Sequence, residues 1–178
     1  MSLGLKADLD LDDVLFERLE HAADVEAAYI VAIRILTAMP RAVQEMTRRL
    51  RQRGHKGVVV ADVVGRLETA GLLDDEAFAR HFSRVRLGRG HGPPRILTDL
   101  LSRGVERRLA ERAIDEVVEA EEVDPDEAVW ALAEKRSAQL GELPFDTKKR
   151  RMLAYLARRG FRGYEVTEIV EEVIADIE

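Results

Sequence analysis

The 178 residues are 46% hydrophobic and 35% charged, contain no cysteine and carry a formal net charge of -6, the balance of a folded, charge-rich helical chain rather than a disordered one. The missing cysteines exclude disulfides, thiolate metal sites and Cys nucleophiles. No apolar run approaches the roughly 18 residues of a membrane span, and "MSLGLKADLDLDD" lacks the basic and apolar regions of a secretory signal, so a cytoplasmic protein without membrane contact is expected.

Charge divides the chain before any motif does. Residues 1–26 hold 2 basic and 8 acidic side chains, residues 27–112 hold 17 and 9, and residues 113–178 hold 9 and 17. A basic middle between acidic ends predicts a surface for a polyanion or an acidic protein, partly shielded by the ends. The alternative is a charge pattern that serves solubility alone.

After the acidic N-terminal extension 1–26, Asp24 stands as a helix start signal ahead of "VEAAYIVAIRIL". "RRLRQRG" at 48–54 ends a second helix. The β-branched run "VVVADVV" at 58–64 continues into helical spacing with Leu67, so it too reads as helix. Asp74 opens the next helix, "DEAFARHF", which leads to the corner "GRGHGPPRI" at 88–96 and to "TDLLSRG" at 98–104. Asp124 and Pro125 open "DEAVWALA", followed by "AYLARRG" at 154–160 and a last helix.

These segments are copies of one unit. Three helices end in an Arg-Gly pair, at Gly54, Gly104 and Gly160, and the apolar positions around the glycines align. Four residues before the glycine stand Leu50, Leu100 and Leu156, and eight before it Met46, Ile96 and Met152; ten after it come Val64, Ile114 and Val170, and thirteen after it Leu67, Val117 and Val173. Such spacing describes two amphipathic helices joined by a glycine stop. With a preceding helix in each copy, the chain is predicted to be all-α: three tandem three-helix repeats, 27–73, 74–123 and 124–178, stacked as an elongated, curved array.

Nothing in the pattern calls for catalysis or a cofactor. His21, His55, His81 and His91 have no zinc-binding spacing, and neither Ser83 nor Ser102 sits in a nucleophile elbow. The acidic pair in "LLDDE" suits a helix start, and Trp130 in "AVWALA" reads as core or an inter-unit contact. The glycine-rich corner follows a helix and lacks the nucleotide-loop spacing, so Gly88, Gly90 and Gly92 are read as a helix end with Pro93 starting the next helix.

With three helical units in hand, "GLLDDEAFARHF" at 71–82 followed by "SRVRLGRGHGPPRILTDLLSRGV" at 83–105 resembles the signature of the RecX family, regulators of the bacterial RecA recombinase. "RRMLAYLARRGF" at 150–161 resembles that family's third repeat; His91, the Pro93-Pro94 pair and the acidic net charge depart from it. The resemblance implies a non-enzymatic, cofactor-free protein, monomeric, that binds the groove of a RecA filament, touches single-stranded or duplex DNA within it, and restrains recombinase, ATPase and coprotease activities in DNA repair and the SOS response. The basic residues assigned to that role are Arg48, Arg49, Arg51, Arg53, Arg80, Arg84, Arg86, Arg89, Arg95 and Arg103, with Gly88, Gly90, Gly92 and Pro93 as the corner that presents Arg89 and Arg95. Two other readings compete: a helix-turn-helix regulator that acts on DNA without RecA, and a helical-repeat adaptor for another protein.

Overall fold

Among residues 13–176, which the computed structural model describes, the chain forms nine helices and no strand: α1 (Asp13–Ala38), α2 (Val43–Gln52), α3 (Gly57–Thr69), α4 (Asp75–Leu87), α5 (Pro93–Arg103), α6 (Arg107–Ala120), α7 (Pro125–Leu140), α8 (Phe145–Arg158) and α9 (Tyr164–Ala175). They fall into three successive three-helix sets, in each of which the helices pack on one another. The first half of the acidic extension, residues 1–12, lies outside the described residues.

The aligned apolar positions are the cores. Met46, Leu50, Ile96, Leu100, Met152 and Leu156 are fully buried, and Leu67, Val117 and Val173 meet them from the third helix of each set. The first helix contributes small side chains one turn apart, Ala28 and Ala32, Ala79 and Ser83, Ala133 and Ser137, all buried. Small residues at that spacing let the first and third helices lie close together. Packing therefore decides the fate of the β-branched run, whose Val59, Val60, Val63 and Val64 are buried along α3.

Each middle helix ends in the same turn. Gly54, Gly104 and Gly160 take φ of 87°, 92° and 97°, the left-handed region where a Cβ is costly. In each, the glycine N–H donates three residues back and the next N–H donates five back, to Leu50, Leu100 and Leu156 at 3.3, 3.2 and 3.0 Å. This paired closure satisfies helix-end carbonyls and turns the chain into the third helix.

Helix starts are less uniform. Asp124 accepts from the backbone N–H of Asp126 at 2.9 Å and of Glu127 at 3.5 Å, with Pro125 next to it, as expected. α4 begins directly after Asp74. Asp24 does not start a helix: α1 runs through it and through position 26, and its carboxylate lies 3.5 Å from Lys56. Pairs to α3 accompany the longer helix, His21 with Asp62 at 2.6 Å and Glu26 with Arg66.

The chain divides into two compact units, Met1–Asp74 and Asp75–Glu178. The second unit holds two three-helix sets, and the glycine-rich corner joins them. The Gly92 N–H donates to the Arg159 carbonyl at 2.8 Å, while the Arg159 guanidinium donates to the carbonyls of Arg89 at 2.7 Å and Gly90 at 3.2 Å. A Cβ on Gly90 would stand 2.9 Å from Leu132, one on Gly92 3.0 Å from the Phe161 ring, and one on Gly160 2.8 Å from the Arg95 backbone nitrogen. Of the corner glycines only Gly90 needs a positive φ, 72°; Gly88 does not, and Gly92 precedes Pro93 in extended backbone. The corner is thus more than a bend: its bare backbone receives the Arg-Gly-Phe turn of the third set. Trp130 is half-buried against the third core.

Gly54 and Gly160 share a backbone conformation but not an environment, since nothing lies within 4 Å of a Cβ at Gly54. Gly54→Ala is expected to cost about 1–2 kcal/mol, the left-handed penalty alone. Gly160→Ala is expected to cost at least about 1 kcal/mol more, because the start of α5 must also shift. Urea unfolding of both variants measures the difference, and equal losses contradict this account of the joint.

Candidate functional site

The arginines of α4 and α5 surround an aromatic and a single carboxylate. Phe78 and Phe82 stack with ring centroids 5.8 Å apart, and the guanidiniums of Arg86 and Arg103 lie 5.0 and 4.6 Å from the Phe82 centroid. Asp99, buried on α5, faces Arg86 at 3.4 Å and Arg95 at 3.2 Å, and its carbonyl accepts from Arg103 at 2.7 Å. One buried carboxylate thus fixes two arginines, and a cation–ring contact fixes a third.

Elsewhere on the second unit the arginines are also paired. Arg80 bonds Glu76 at 2.5 Å and reaches Glu116 at 3.6 Å, and Arg84 bonds Glu121 at 2.9 Å. On the first unit, Arg49 pairs with Glu45 at 3.0 Å and Arg53 donates to the Arg49 carbonyl at 3.3 Å. Arg48 is exposed. Arg51 and Arg89 are exposed and make no ion pair among the described residues.

The predicted basic set is therefore of two kinds. Arg86 and Arg103 hold α4 against α5 and contribute to packing. Arg51 and Arg89 have guanidiniums without a partner among the described residues, and Arg80, Arg84 and Arg95 are half-neutralised at exposed or half-exposed positions. Asp99 escaped the sequence reading, although it is the one carboxylate between Glu76 and Glu106, a stretch holding six arginines. An aromatic under a guanidinium recurs in the other sets, Tyr29 under Arg66 at 3.9 Å and Tyr155 under Arg136 and Arg159 at 5.3 and 4.6 Å.

His91 sits among these cations. Partial burial holds its pKa below the usual imidazole value, Arg86 and Arg159 lower it further, and Asp99 pulls the other way. Its Nδ1 is 3.5 Å from Arg86. Among the described residues no three His, Asp or Glu side chains converge on a metal-sized site, and no helix is long and apolar enough to cross a membrane. What the arrangement offers chemically is oriented guanidiniums for oxyanions.

Comparison with known proteins places the three helical sets in register with a family. Models of the first, second and third three-helix domains of RecX match residues 28–67, 74–114 and 122–170. The chain is 37% identical to the regulatory protein RecX of Halorhodospira halophila (strain DSM 244 / SL1) over 148 residues, 83% of this chain and 88% of that one. It is 34% identical to the regulatory protein RecX of Mycobacterium sp. (strain JLS) over 152 residues, 84% and 83% of the two chains. In fold it resembles the crystal structure of RecX from Lactobacillus salivarius, with TM-score 0.66, 21% identity, and coverage of 86% of this chain and 99% of that one.

Two measurements check the cluster. Asp99→Ala is expected to destabilise by about 2 kcal/mol, because it strips the acceptor from two guanidiniums, whereas Arg84→Ala at an exposed pair stays within about 0.5 kcal/mol of the parent. For His91, the unfolded chain takes up a proton at a higher pH than the folded one, so its contribution is complete above the ordinary histidine range and is lost as pH falls through the lowered folded value. Between about pH 7.5 and 5.5 the melting temperature should fall less in His91→Gln than in the parent. Identical slopes would rule this out.

Proposed function

Because the chain belongs to the RecX family, whose members are regulatory proteins and not enzymes, we propose that it binds the RecA nucleoprotein filament and restrains its recombinase, ATPase and coprotease activities. The observation that carries this reading is the match of all three RecX domains, in order, to the three helical sets. The modules are taken as 27–73, 74–123 and 124–178, acting together in one cytoplasmic monomer. Arg51 and Arg89, which make no ion pair among the described residues, supply guanidiniums for phosphates or carboxylates of the filament, and Arg48, Arg80, Arg84 and Arg95 add to the field. Arg86 and Arg103 act indirectly by holding the α4–α5 pair, and DNA is met inside the filament rather than alone.

The charge on α9 and on the later turns of α6 argues against a helix-turn-helix regulator. A recognition helix in a DNA groove needs a neutral or basic outer face. α9 exposes Glu165, Glu168 and Glu172 and holds no basic side chain, while α6 follows exposed Arg107, Arg108 and Arg112 with exposed Asp115, Glu116 and Glu119 along its later turns.

The test is RecA-dependent ATP hydrolysis on single-stranded DNA with this protein titrated in. Inhibition is expected, and Arg51→Glu with Arg89→Glu should raise the half-inhibitory concentration about tenfold, with unchanged helicity. A parent chain that fails to inhibit at any stoichiometry, or a folded double variant that inhibits as well as the parent, contradicts the proposal.

A further inference from the structure

Within the first unit, a groove of about 430 Å³ lies between α1 and α2 with an unusual wall. Four guanidiniums line it, Arg34, Arg41, Arg49 and Arg53, over a floor that includes Val31 and Ile35. Among the described residues only Glu45 answers them. Its Oε1 accepts from Arg41 at 2.8 Å and from both Nε and Nη2 of Arg49 at 3.2 and 3.0 Å. Arg34 makes no ion pair among the described residues, and Arg53 donates only to a carbonyl. Arg41 Nε and Glu45 Oε2 are buried without partners.

Four cations against one carboxylate leave the groove short of acceptors, and Glu45 fixes two of the forks in place before any partner arrives. Guanidinium forks take carboxylates and phosphates alike, so the floor decides between them. A nucleic-acid backbone carries its phosphates outermost and brings no aliphatic side chain to Val31 and Ile35. A peptide that alternates carboxylates with aliphatic residues satisfies both wall and floor.

We infer that this groove docks an acidic protein segment with aliphatic side chains between its carboxylates. The inference rests on the proposed function only in taking the partner to be a protein. It adds Arg34 and Arg41, which the sequence did not single out, to a binding role.

The experiment is fluorescence polarisation of the full chain with a labelled peptide of about ten alternating aspartates and leucines, beside an asparagine–leucine peptide and an oligothymidine of about 20 nucleotides. Saturable binding of the aspartate peptide is expected, weakened about tenfold or more by Arg34→Ser with Arg53→Ser, both exposed and so compatible with parental helicity and melting temperature. The asparagine peptide should not bind. No saturable binding, equal binding of the asparagine peptide, unchanged affinity in the double variant, or tighter binding of the oligothymidine through the same two arginines overturns the inference. A parent chain that binds the peptide but leaves RecA hydrolysis untouched removes the proposed function and leaves the groove; one that inhibits RecA but binds no peptide removes the groove alone.

Discussion

A residue forced into left-handed backbone at the end of each middle helix is the constraint on which the rest of the structure depends. Gly54, Gly104 and Gly160 close their helices with the same pair of backbone bonds, and that closure sets where the third helix can start. The leucine that accepts the longer bond, Leu50, Leu100 or Leu156, is also fully buried. One residue therefore terminates the helix through its carbonyl and anchors the core through its side chain, so turn and packing reinforce each other. The small pairs on the first helices complete the set by letting the third helix approach.

Charge works on two levels. Counting side chains gives a basic middle of the chain, yet many of its arginines already have acceptors: Arg80, Arg84, Arg86 and Arg95 face carboxylates, and Arg103 faces a carbonyl and a ring. A paired guanidinium at an exposed position still contributes field, but it no longer offers an empty fork. The surface available to a partner is thus set by which exposed arginines have neither ion pair nor side-chain hydrogen bond among the described residues, in the basic middle Arg34, Arg51, Arg89, Arg108 and Arg112. Buried Asp99 is as important to that partition as any arginine, since it decides which cations turn inward.

The repeat and its cores were legible because they depend on local periodicity and on glycine stops. Met46, Ile96 and Met152 fall where the spacing puts them, and Asp124 caps as its neighbours predict. The start of α1 was not legible. A capping residue is recognised by the apolar run on its C-terminal side, while α1 carries on through Asp24 with side chains paired to Asp62 and Arg66, 41 and 40 residues away. The division of the arginines failed for a similar reason: whether Arg86 faces solvent depends on Asp99 one helix away and on the Phe82 ring. The groove on the first unit was hidden because Arg34 and Arg41 lie outside the α2 cluster in sequence and meet it only when α1 and α2 pack.

The joint in the second unit has a consequence for how such an array can change over time. Gly90 and Gly160 answer both to their own positive φ and to what stands opposite them, the end of the Leu132 side chain and the backbone of Arg95, whereas Gly92, whose φ any residue adopts, answers to the Phe161 ring alone. Each side of the contact is shaped for the other, whereas the turn at Gly54 faces open space. The three sets share a plan but are not interchangeable bricks. A duplication, deletion or exchange of one set would have to carry both halves of this contact with it, so the order of the modules is written into backbone that has no side chain to lose.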